Sequence, residues 1–202
     1  MKLSVSRILE QIPEKDIILS LYRLATSEGI KLYVVGGTVR DVILGRPVYD
    51  IDFTMFGDAI SFTERFAKLT KAKAIVLDEE QKSARAIFHH GELYMDFNTI
   101  RGNDIIDDLK ARDLTINAIA YDFSQLFTSD EVELIDPCNG IDDLNNRIIN
   151  LTSPQTIVDD PIRMLRVYRF SATLDFTVSD ETLSLIKPSS SLLYRASPTP
   201  YP

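Results

Sequence analysis

The stretch from residue 36 to residue 53 reads GGTVRDVILGRPVYDIDF, and this stretch decides the fold. It follows the apolar run KLYVV (31–35), which predicts a short strand that ends at the two glycines. TVRDVIL then suits a short helix closed by Gly45, and YDIDFTMF (49–56) alternates in the manner of a second strand. We therefore predict a strand, a glycine turn, a helix and a second strand in succession, as in an α/β domain.

Two acidic side chains of the second strand form a candidate metal site. Asp50 and Asp52 are two residues apart, so the alternation of side chains along a strand points both carboxylates to one face. Adjacent carboxylates repel each other unless a cation lies between them, and hard oxygen ligands suit Mg²⁺. Asp96 in the later strand LYMDFNTI is the candidate third ligand, because that strand can pair beside the first. The alternatives are the solvated face of an edge strand and a surface aspartate.

The glycine turn forms a candidate anion site. Gly36 and Gly37 allow backbone N–H groups to approach an anion closely, and the start of the following helix adds a favourable dipole. Arg40 can bind two phosphate oxygens at once. A tight strand–helix turn with a surface arginine is the alternative. A phosphate site followed closely by paired carboxylates is much more specific than either feature alone.

The rest of the chain up to about residue 122 predicts further helices and strands. The predicted helices are residues 14–28, ended by Gly29, and a helix from the N-cap Asp58 to about Thr70. The predicted strands are AKAIVL (72–77), ARAIFHH (84–90) and ELYMDFNTI (92–100), the last two joined by a hairpin at His90 and Gly91. Residues 103–122 are predicted to be mostly helical.

Beyond residue 122 the pattern becomes irregular. Two short β-like pieces flank a Pro-Cys-Asn-Gly turn within residues 132–154. Asp160 as N-cap and Pro161 as first residue open the next helix, and another follows at roughly 180–187. We expect an α/β (α+β) head, with a mixed sheet of about five strands flanked by helices, and then the start of an all-helical neck. The expected domains are an N-terminal helical segment (1–30), the head (31–150), the start of the neck (151–187) and a disordered or non-native tail (188–202).

Composition narrows the class of protein. The 202 residues are 45% hydrophobic, which is sufficient for a substantial core. A net charge of −8 argues against nucleic-acid binding over the whole surface, but it leaves room for the local cluster Arg163, Arg166 and Arg169. A single cysteine, Cys138, excludes an intramolecular disulfide and a Cys-rich zinc site, and it favours a reducing, cytoplasmic setting. No apolar run approaches the ~18 residues of a membrane span, so we expect no membrane partner.

These residues resemble a known family. GGTVRDVILGRPVYDIDF is similar to the signature of the class II tRNA nucleotidyltransferase and bacterial poly(A) polymerase family, within the DNA polymerase beta-like superfamily. Further segments match in order and spacing. They are ARDLTINAIA (111–120), DPCNGIDDL (136–144) and DDPIRMLRVYRF (159–170), and the resemblance runs from about Lys31 to about Lys187.

The resemblance implies a role for each matching residue. Asp50 and Asp52 would bind catalytic Mg²⁺ in a two-metal site, with Asp96 as the candidate third ligand, and Gly37 and Arg40 would hold the triphosphate. Arg112, Asp113 and Asn117 would lie at the sugar and phosphates, with Asp113 selecting ribose. Asp160 and Arg163 would recognise the base edge, Arg166 would bind phosphate or support the base pocket, and Asp136 and Gly140 would lie in a hinge.

The implied reaction is template-independent nucleotide addition to an RNA 3′ end. The 3′-hydroxyl, expected to belong to a tRNA, would attack the α-phosphate of CTP or ATP and release pyrophosphate. Addition of CCA, of CC alone or of A alone all fit the sequence, and poly(A) synthesis is the alternative within the family. A small-molecule nucleotidyltransferase and an inactive nucleotide- or RNA-binding fragment are the alternatives from other classes.

Two departures from the family pattern bear on this interpretation. Ala111 stands where the family often has the first arginine of its RRD segment, and Asp159 replaces a glutamate. Family members continue into neck, body and tail helices, whereas this chain ends in a Pro/Ser-rich segment soon after the first helices. We therefore expect a fragment or a truncated or frameshifted product, whose activity alone and whose oligomeric state the sequence leaves open.

Overall fold

The computed structural model describes residues 1–12, 14–88 and 92–194. Its residues group into two compact units. The first comprises residues 1–105 and 120–135, and the second comprises residues 106–119 together with the chain from residue 136 onward. The expected domains, with residues 106–119 in the head and the neck starting at residue 151, stay a prediction.

The first unit is built on a mixed sheet. Its strands and helices are β1 (Lys2–Ser4), α1 (Val5–Gln11), α2 (Lys15–Ser27), β2 (Leu32–Val35), α3 (Gly37–Ile43), β3 (Asp50–Met55), α4 (Ala59–Thr70), β4 (Lys73–Asp78), β5 (Ser83–Phe88) and β6 (Leu93–Thr99). After α5 (Ile105–Lys110), which crosses the boundary between the units, it resumes with β7 (Ala120–Asp122), α6 (Gln125–Thr128) and β8 (Glu131–Glu133).

The strand order of the main sheet confirms the predicted fold class. Among the described residues it has six strands in the order β4-β5-β6-β3-β2-β7. β3 and β6 are parallel and the other neighbours are antiparallel, so the sheet is mixed. The prediction of about five strands missed β7, which lies in the segment 103–122 that was predicted to be mostly helical. That prediction was wrong for most of the segment, because only α5 and a short 3₁₀ turn (Thr115–Asn117) are helical there.

Aromatic packing holds this sheet against α4. Phe53 of β3 and Phe97 of β6 are fully buried and stacked, with ring centroids 5.1 Å apart. Phe62 and Phe66 of α4 meet the Phe97 ring edge-on at 5.5 and 5.8 Å. The predicted N-cap of α4 is confirmed, since Asp58 accepts hydrogen bonds from the backbone N–H groups of residues 60 and 61.

The second unit is mainly helical. After α5 and the 3₁₀ turn it contains α7 (Gly140–Asn146), β9 (Ile148–Ile149), α8 (Gln155–Asp159), α9 (Arg163–Leu174), β10 (Thr177–Val178), α10 (Asp180–Ser189) and a 3₁₀ turn (Ser190–Tyr194). α9 buries Met164, Val167 and Leu174 on one face. The expectation of an all-helical neck needs one correction, because β9 and β10 form a short parallel pair.

Three local predictions differ from the structure or lie outside it. The assigned helix α9 begins at Arg163 rather than at Pro161, although the Asp160 carboxylate does accept a hydrogen bond from the N–H of Ile162. Residues 188–194, expected in the tail, are helical, and residues 195–202 lie outside the described residues. The predicted hairpin turn at residues 89–91 is also outside them, whereas the pairing of Phe88 with Leu93 agrees with a β5–β6 hairpin.

No helix in the described part of the chain has both the length and the apolar character needed to cross a membrane.

One buried hydroxyl yields a stability prediction. Tyr121 is fully buried on β7, and its hydroxyl lacks a hydrogen-bond partner among the described residues. We expect Tyr121→Phe to raise the free energy of unfolding by about 1 kcal/mol, because it removes an unsatisfied polar group and keeps the ring. Denaturant unfolding measures this change.

The matched control is Tyr33→Phe on the neighbouring strand β2. Interaction with the Tyr33 side chain raises the pKa of Lys31, so the same atom deletion should lower the free energy of unfolding by about 1 kcal/mol. Equal losses of stability in the two variants would show that the Tyr121 hydroxyl is also paired.

Candidate active site

The parallel pairing of β3 with β6 brings three acidic residues together. Asp52 is opposite Asp96 in the strand register, and Asp50 is opposite Tyr94. Ile51 and Phe53 point into the core, so Asp50 and Asp52 share the other face of β3, as predicted. We call Asp50, Asp52 and Asp96 the acidic row.

Thr38 fixes the glycine turn to the strand that carries the acidic pair. The buried Thr38 hydroxyl accepts a hydrogen bond from the Asp52 N–H at 2.8 Å. It also donates a hydrogen bond to the Asp50 carbonyl at 3.2 Å. Helix α3 therefore begins directly beside both acidic residues. Thr38 was not among the predicted site residues, although a hydroxyl residue directly after the two glycines could have indicated its role.

The two glycines of the turn have different structural roles. Gly36 has φ +69° and ψ −133°, a conformation that residues with a side chain rarely adopt. Gly37 lies close to both charged groups, since a Cβ there would be in ordinary van der Waals contact, 3.4 Å from the Arg40 guanidinium and 3.5 Å from Oδ2 of Asp52. The predicted phosphate-binding turn therefore lies next to the predicted metal-binding carboxylate.

Arg40 does not extend freely into solvent. Its guanidinium is buried and donates two hydrogen bonds to the Asp41 carboxylate, at 3.0 and 2.8 Å. This ion pair holds the guanidinium beside Gly37, where the sequence predicted a phosphate ligand.

Arg85 is a charged residue of this site that the sequence analysis missed. It is opposite Asp96 in the antiparallel β5–β6 register and donates hydrogen bonds to both carboxylate oxygens, at 2.6 and 2.8 Å. Its guanidinium lies 4.9 Å from the centre of the Tyr94 ring. The hydrogen bonds that Arg85 donates to Asp96 raise the pKa of Arg85, and the charges of Asp96, Asp50 and Asp52 raise it further, against the effect of burial. The signal in the sequence was a lone arginine between two alanines of a strand.

The acidic pair has the donor chemistry of a magnesium site. Mg²⁺ prefers oxygen ligands and is commonly bound by one or two carboxylates together with substrate phosphates. Asp50 and Asp52 supply such carboxylates beside the Gly36–Gly37 turn. Among the described residues no group of three or more His, Cys, Asp or Glu side chains is arranged to hold a metal ion. The donor chemistry of the two carboxylates fits Mg²⁺.

In the second unit the structure brings together three of the predicted nucleotide-binding residues. Oδ2 of the buried Asp113 accepts a hydrogen bond from Nε of Arg166 at 2.5 Å. Oδ1 accepts from the Leu114 N–H at 2.9 Å and from Asn117 Nδ2 at 3.4 Å. Arg112 points instead to Asp108, with two hydrogen bonds of 3.1 and 2.9 Å to one carboxylate oxygen.

The predicted base-reading pair is also close together. Asp160 and Arg163 form an ion pair at 3.9 Å, and Arg163 donates a hydrogen bond to the Ala111 carbonyl at 3.2 Å. Arg169 of the same helix instead lies over the Phe170 ring, 4.6 Å from its centre.

Hydrogen bonds and close packing explain why Asp136 and Gly140 occupy their positions in the DPCNG turn. The Asp136 carboxylate accepts hydrogen bonds from the N–H groups of Gly140 and Ile141, at 2.8 and 2.9 Å, and so stabilises the start of α7. A Cβ on Gly140 would lie 2.1 Å from the Thr115 carbonyl oxygen, so only glycine fits. The predicted hinge role of these two residues stays a prediction.

Comparison with known proteins decides the family. Residues 32–150 match the family described as the poly A polymerase head domain. The chain belongs to the class II tRNA nucleotidyltransferase and poly(A) polymerase family. A CC-adding tRNA nucleotidyltransferase of Synechocystis is 38% identical over 156 residues, which are 76% of this chain and 36% of that protein.

Solved structures of tRNA nucleotidyltransferases share the fold. The Thermotoga maritima CCA-adding enzyme complexed with tRNA has a TM-score of 0.83 at 30% identity, over 99% of this chain and 48% of its own. A tRNA nucleotidyltransferase complexed with a primer tRNA and an incoming ATP analogue has a TM-score of 0.74 at 33% identity, over 88% of this chain and 52% of its own. The chain thus spans about a third to a half of the length of these family members.

The Thr38 contacts yield a prediction. We expect Thr38→Val to lower the free energy of unfolding by about 1–3 kcal/mol, because the buried Asp52 N–H loses its hydrogen-bond acceptor. Binding of Mn²⁺, as a probe of the acidic pair, should weaken as well. Denaturant unfolding and calorimetric titration measure the two effects.

Thr63→Val is the control, since the buried Thr63 hydroxyl only donates to the Ala59 carbonyl within α4. It should change stability little and leave Mn²⁺ binding intact. Unchanged Mn²⁺ binding in Thr38→Val would contradict an anchoring role for the hydroxyl.

Proposed function

We propose that this chain is the catalytic head of an RNA 3′-end nucleotidyltransferase that transfers CMP or AMP from CTP or ATP to the 3′ end of a tRNA. Pyrophosphate is the second product. The observation that carries the proposal is the anchoring of the glycine turn beside the acidic pair through Thr38. The matching proteins are named for CC or CCA addition, and solved relatives contain tRNA or an ATP analogue.

The first unit holds the metal and the phosphates. Asp50 and Asp52 would hold Mg²⁺, which would supply Lewis-acid activation of the attacking 3′-hydroxyl and charge stabilisation for the leaving pyrophosphate. The Gly36–Gly37 turn approaches the triphosphate closely, and Arg40, held in place by Asp41, lies beside it. Positioning and charge stabilisation supply most of the catalysis, as in other phosphoryl transfers.

In the second unit, we propose roles for the residues of the segments that resemble the family's sugar- and base-binding motifs. Asp113 accepts a hydrogen bond from the ribose 2′-hydroxyl, since each carboxylate oxygen has two lone pairs and its present partners leave acceptor capacity. A deoxynucleotide would leave that buried acceptor unpaired, and this disfavours DNA precursors. Asn117 and Arg112 bind sugar and phosphate, and Arg166 is held against Asp113 to support the base pocket. Asp160 accepts a hydrogen bond from the base edge of C or A, and Arg163 donates a hydrogen bond to it.

Of all parts of the proposed function, the identity of the added nucleotide is the one that the sequence and the structure constrain least. Similarity to a CC-adding enzyme favours addition of C, and the family described as poly A polymerase keeps poly(A) synthesis as the second candidate. A tRNA without its CCA end, incubated with CTP alone, ATP alone and both, distinguishes the products. Two added residues with CTP and no further extension indicate CC addition, three with both nucleotides indicate CCA addition, and a long tract with ATP indicates poly(A) synthesis.

We also place the protein in the reducing cytoplasm. Its single cysteine, Cys138, is half-buried, and burial raises the pKa of this thiol above its usual value. A high pKa keeps the thiol protonated and weakly reactive. This is consistent with a cysteine that has no redox role.

The decisive variant is Asp52→Asn. It keeps the size of the side chain but removes one metal-binding charge, so we expect incorporation of CMP or AMP to fall roughly 10³-fold, or about 4 kcal/mol. Mg²⁺-dependent binding of CTP, measured by calorimetry, should fall in parallel.

Asp58→Asn is the matched control. It makes the same chemical change at the N-cap of α4, where asparagine is as good a cap as aspartate, and should leave both measurements unchanged. Incorporation by Asp52→Asn at the rate of the unmodified chain would contradict the proposed function.

A further inference from the structure

Arg85 provides an internal counter-charge to the acidic row. Arg85, Asp96 and Asp52 are register partners across three adjacent strands, so they form one line on the exposed face of the sheet. Asp50 lies two residues before Asp52 on that face. The line thus has the Arg85 guanidinium at one end. At the other end are Asp50 and Asp52, the metal ligands of the proposed function.

The contact between Arg85 and Asp96 has the geometry of a strong ion pair. Two guanidinium nitrogens donate to the two carboxylate oxygens, and the Tyr94 ring supports the guanidinium from one side. The side chains are only 33% and 16% exposed. Arginine stays charged at any physiological pH, so the pair is a permanent and nearly neutral unit.

The ion pair with Arg85 bears on the role of Asp96, which the sequence offered as a third metal ligand. With the proposed function as its basis, we propose that Arg85 is a positioning residue that retains Asp96 and keeps it out of the metal coordination shell. The divalent cation is then held by Asp50 and Asp52 alone. Two carboxylates bind Mg²⁺ weakly without substrate phosphates, so the ion enters and leaves together with the triphosphate and the pyrophosphate.

The two members of the pair should have opposite effects on metal affinity. Removing the Arg85 charge frees Asp96 to attract or bind the cation, so affinity rises. Removing the Asp96 charge frees the Arg85 guanidinium to turn toward Asp50 and Asp52, whose charges already act on it, so affinity falls. Removing both charges removes a neutral unit and should have little effect.

The test is a double-mutant cycle on the whole, nucleotide-free chain, with Mn²⁺ as the probe and calorimetry or electron paramagnetic resonance as the measurement. We expect Arg85→Gln to lower the Kd for Mn²⁺ by roughly tenfold or more, and Asp96→Asn to raise it by a similar factor. The Kd of the double variant should stay within about twofold of the original, since the two effects cancel.

Arg65→Gln is the matched control. Arg65 forms the same two-bond ion pair with Glu28, at 2.9 and 2.7 Å, but is not part of the acidic row. This variant has the same change in net charge as Arg85→Gln and should leave the Kd for Mn²⁺ unchanged. Circular dichroism of each variant verifies that the chain is folded.

Two outcomes would overturn the inference. An equal or weaker affinity in Arg85→Gln would show that Arg85 does not oppose the metal. A double variant that binds Mn²⁺ as weakly as Asp96→Asn would show that Asp96 is itself a ligand.

The variant Asp52→Asn distinguishes failure of the proposed metal site from failure of the inference about Arg85. If this variant binds Mn²⁺ like the original chain, the proposed function fails together with the inference. If Asp52→Asn loses binding while the cycle gives the wrong signs, only the role of Arg85 is wrong.

Discussion

One hydroxyl group joins the two parts of the candidate metal site. Thr38 accepts from the Asp52 N–H and donates to the Asp50 carbonyl, so the start of α3 and the acidic pair of β3 have a fixed separation. Because these contacts are to the backbone, they hold the position of the two carboxylates without depending on a bound ion. Gly37 lies within van der Waals reach of the acidic pair, since a Cβ added there would be 3.5 Å from Oδ2 of Asp52. A phosphate on the turn would therefore lie next to the metal-binding face.

Several charged residues of the candidate sites in both units form ion pairs within the protein. The ion pairs are Arg40–Asp41 and Arg85–Asp96 in the first unit, and Arg112–Asp108 and Arg166–Asp113 in the second. Such pairs hold long side chains in one geometry, and this reduces the ordering that a substrate must impose. Under the proposed function, binding would then be an exchange of partners, in which a phosphate or hydroxyl adds to or replaces a carboxylate contact. The affinity of each site then depends on its pair as well as on its ligand.

Local signals predicted much of the fold and of the site, and non-local contacts account for the rest. The alternation in β3 gave the shared face of Asp50 and Asp52, and the Asp58 cap gave the start of α4. β7 was missed because the run AIAY has no alternation, and its strand character comes from pairing with β2, far away in the chain. Arg85 was missed because its partner becomes evident only when the register of β5 and β6 is known. The start of α9 was placed too early, since the residues before Arg163 form a tighter turn.

The most direct measurement is a crystal structure with Mn²⁺ and a non-hydrolysable CTP analogue, in which anomalous scattering locates the ion. We expect an anomalous peak about 2.0–2.2 Å from carboxylate oxygens of both Asp50 and Asp52, with the triphosphate along the Gly36–Gly37 turn. A peak that contacts neither carboxylate, or a triphosphate bound away from that turn, would contradict the assignment of this site.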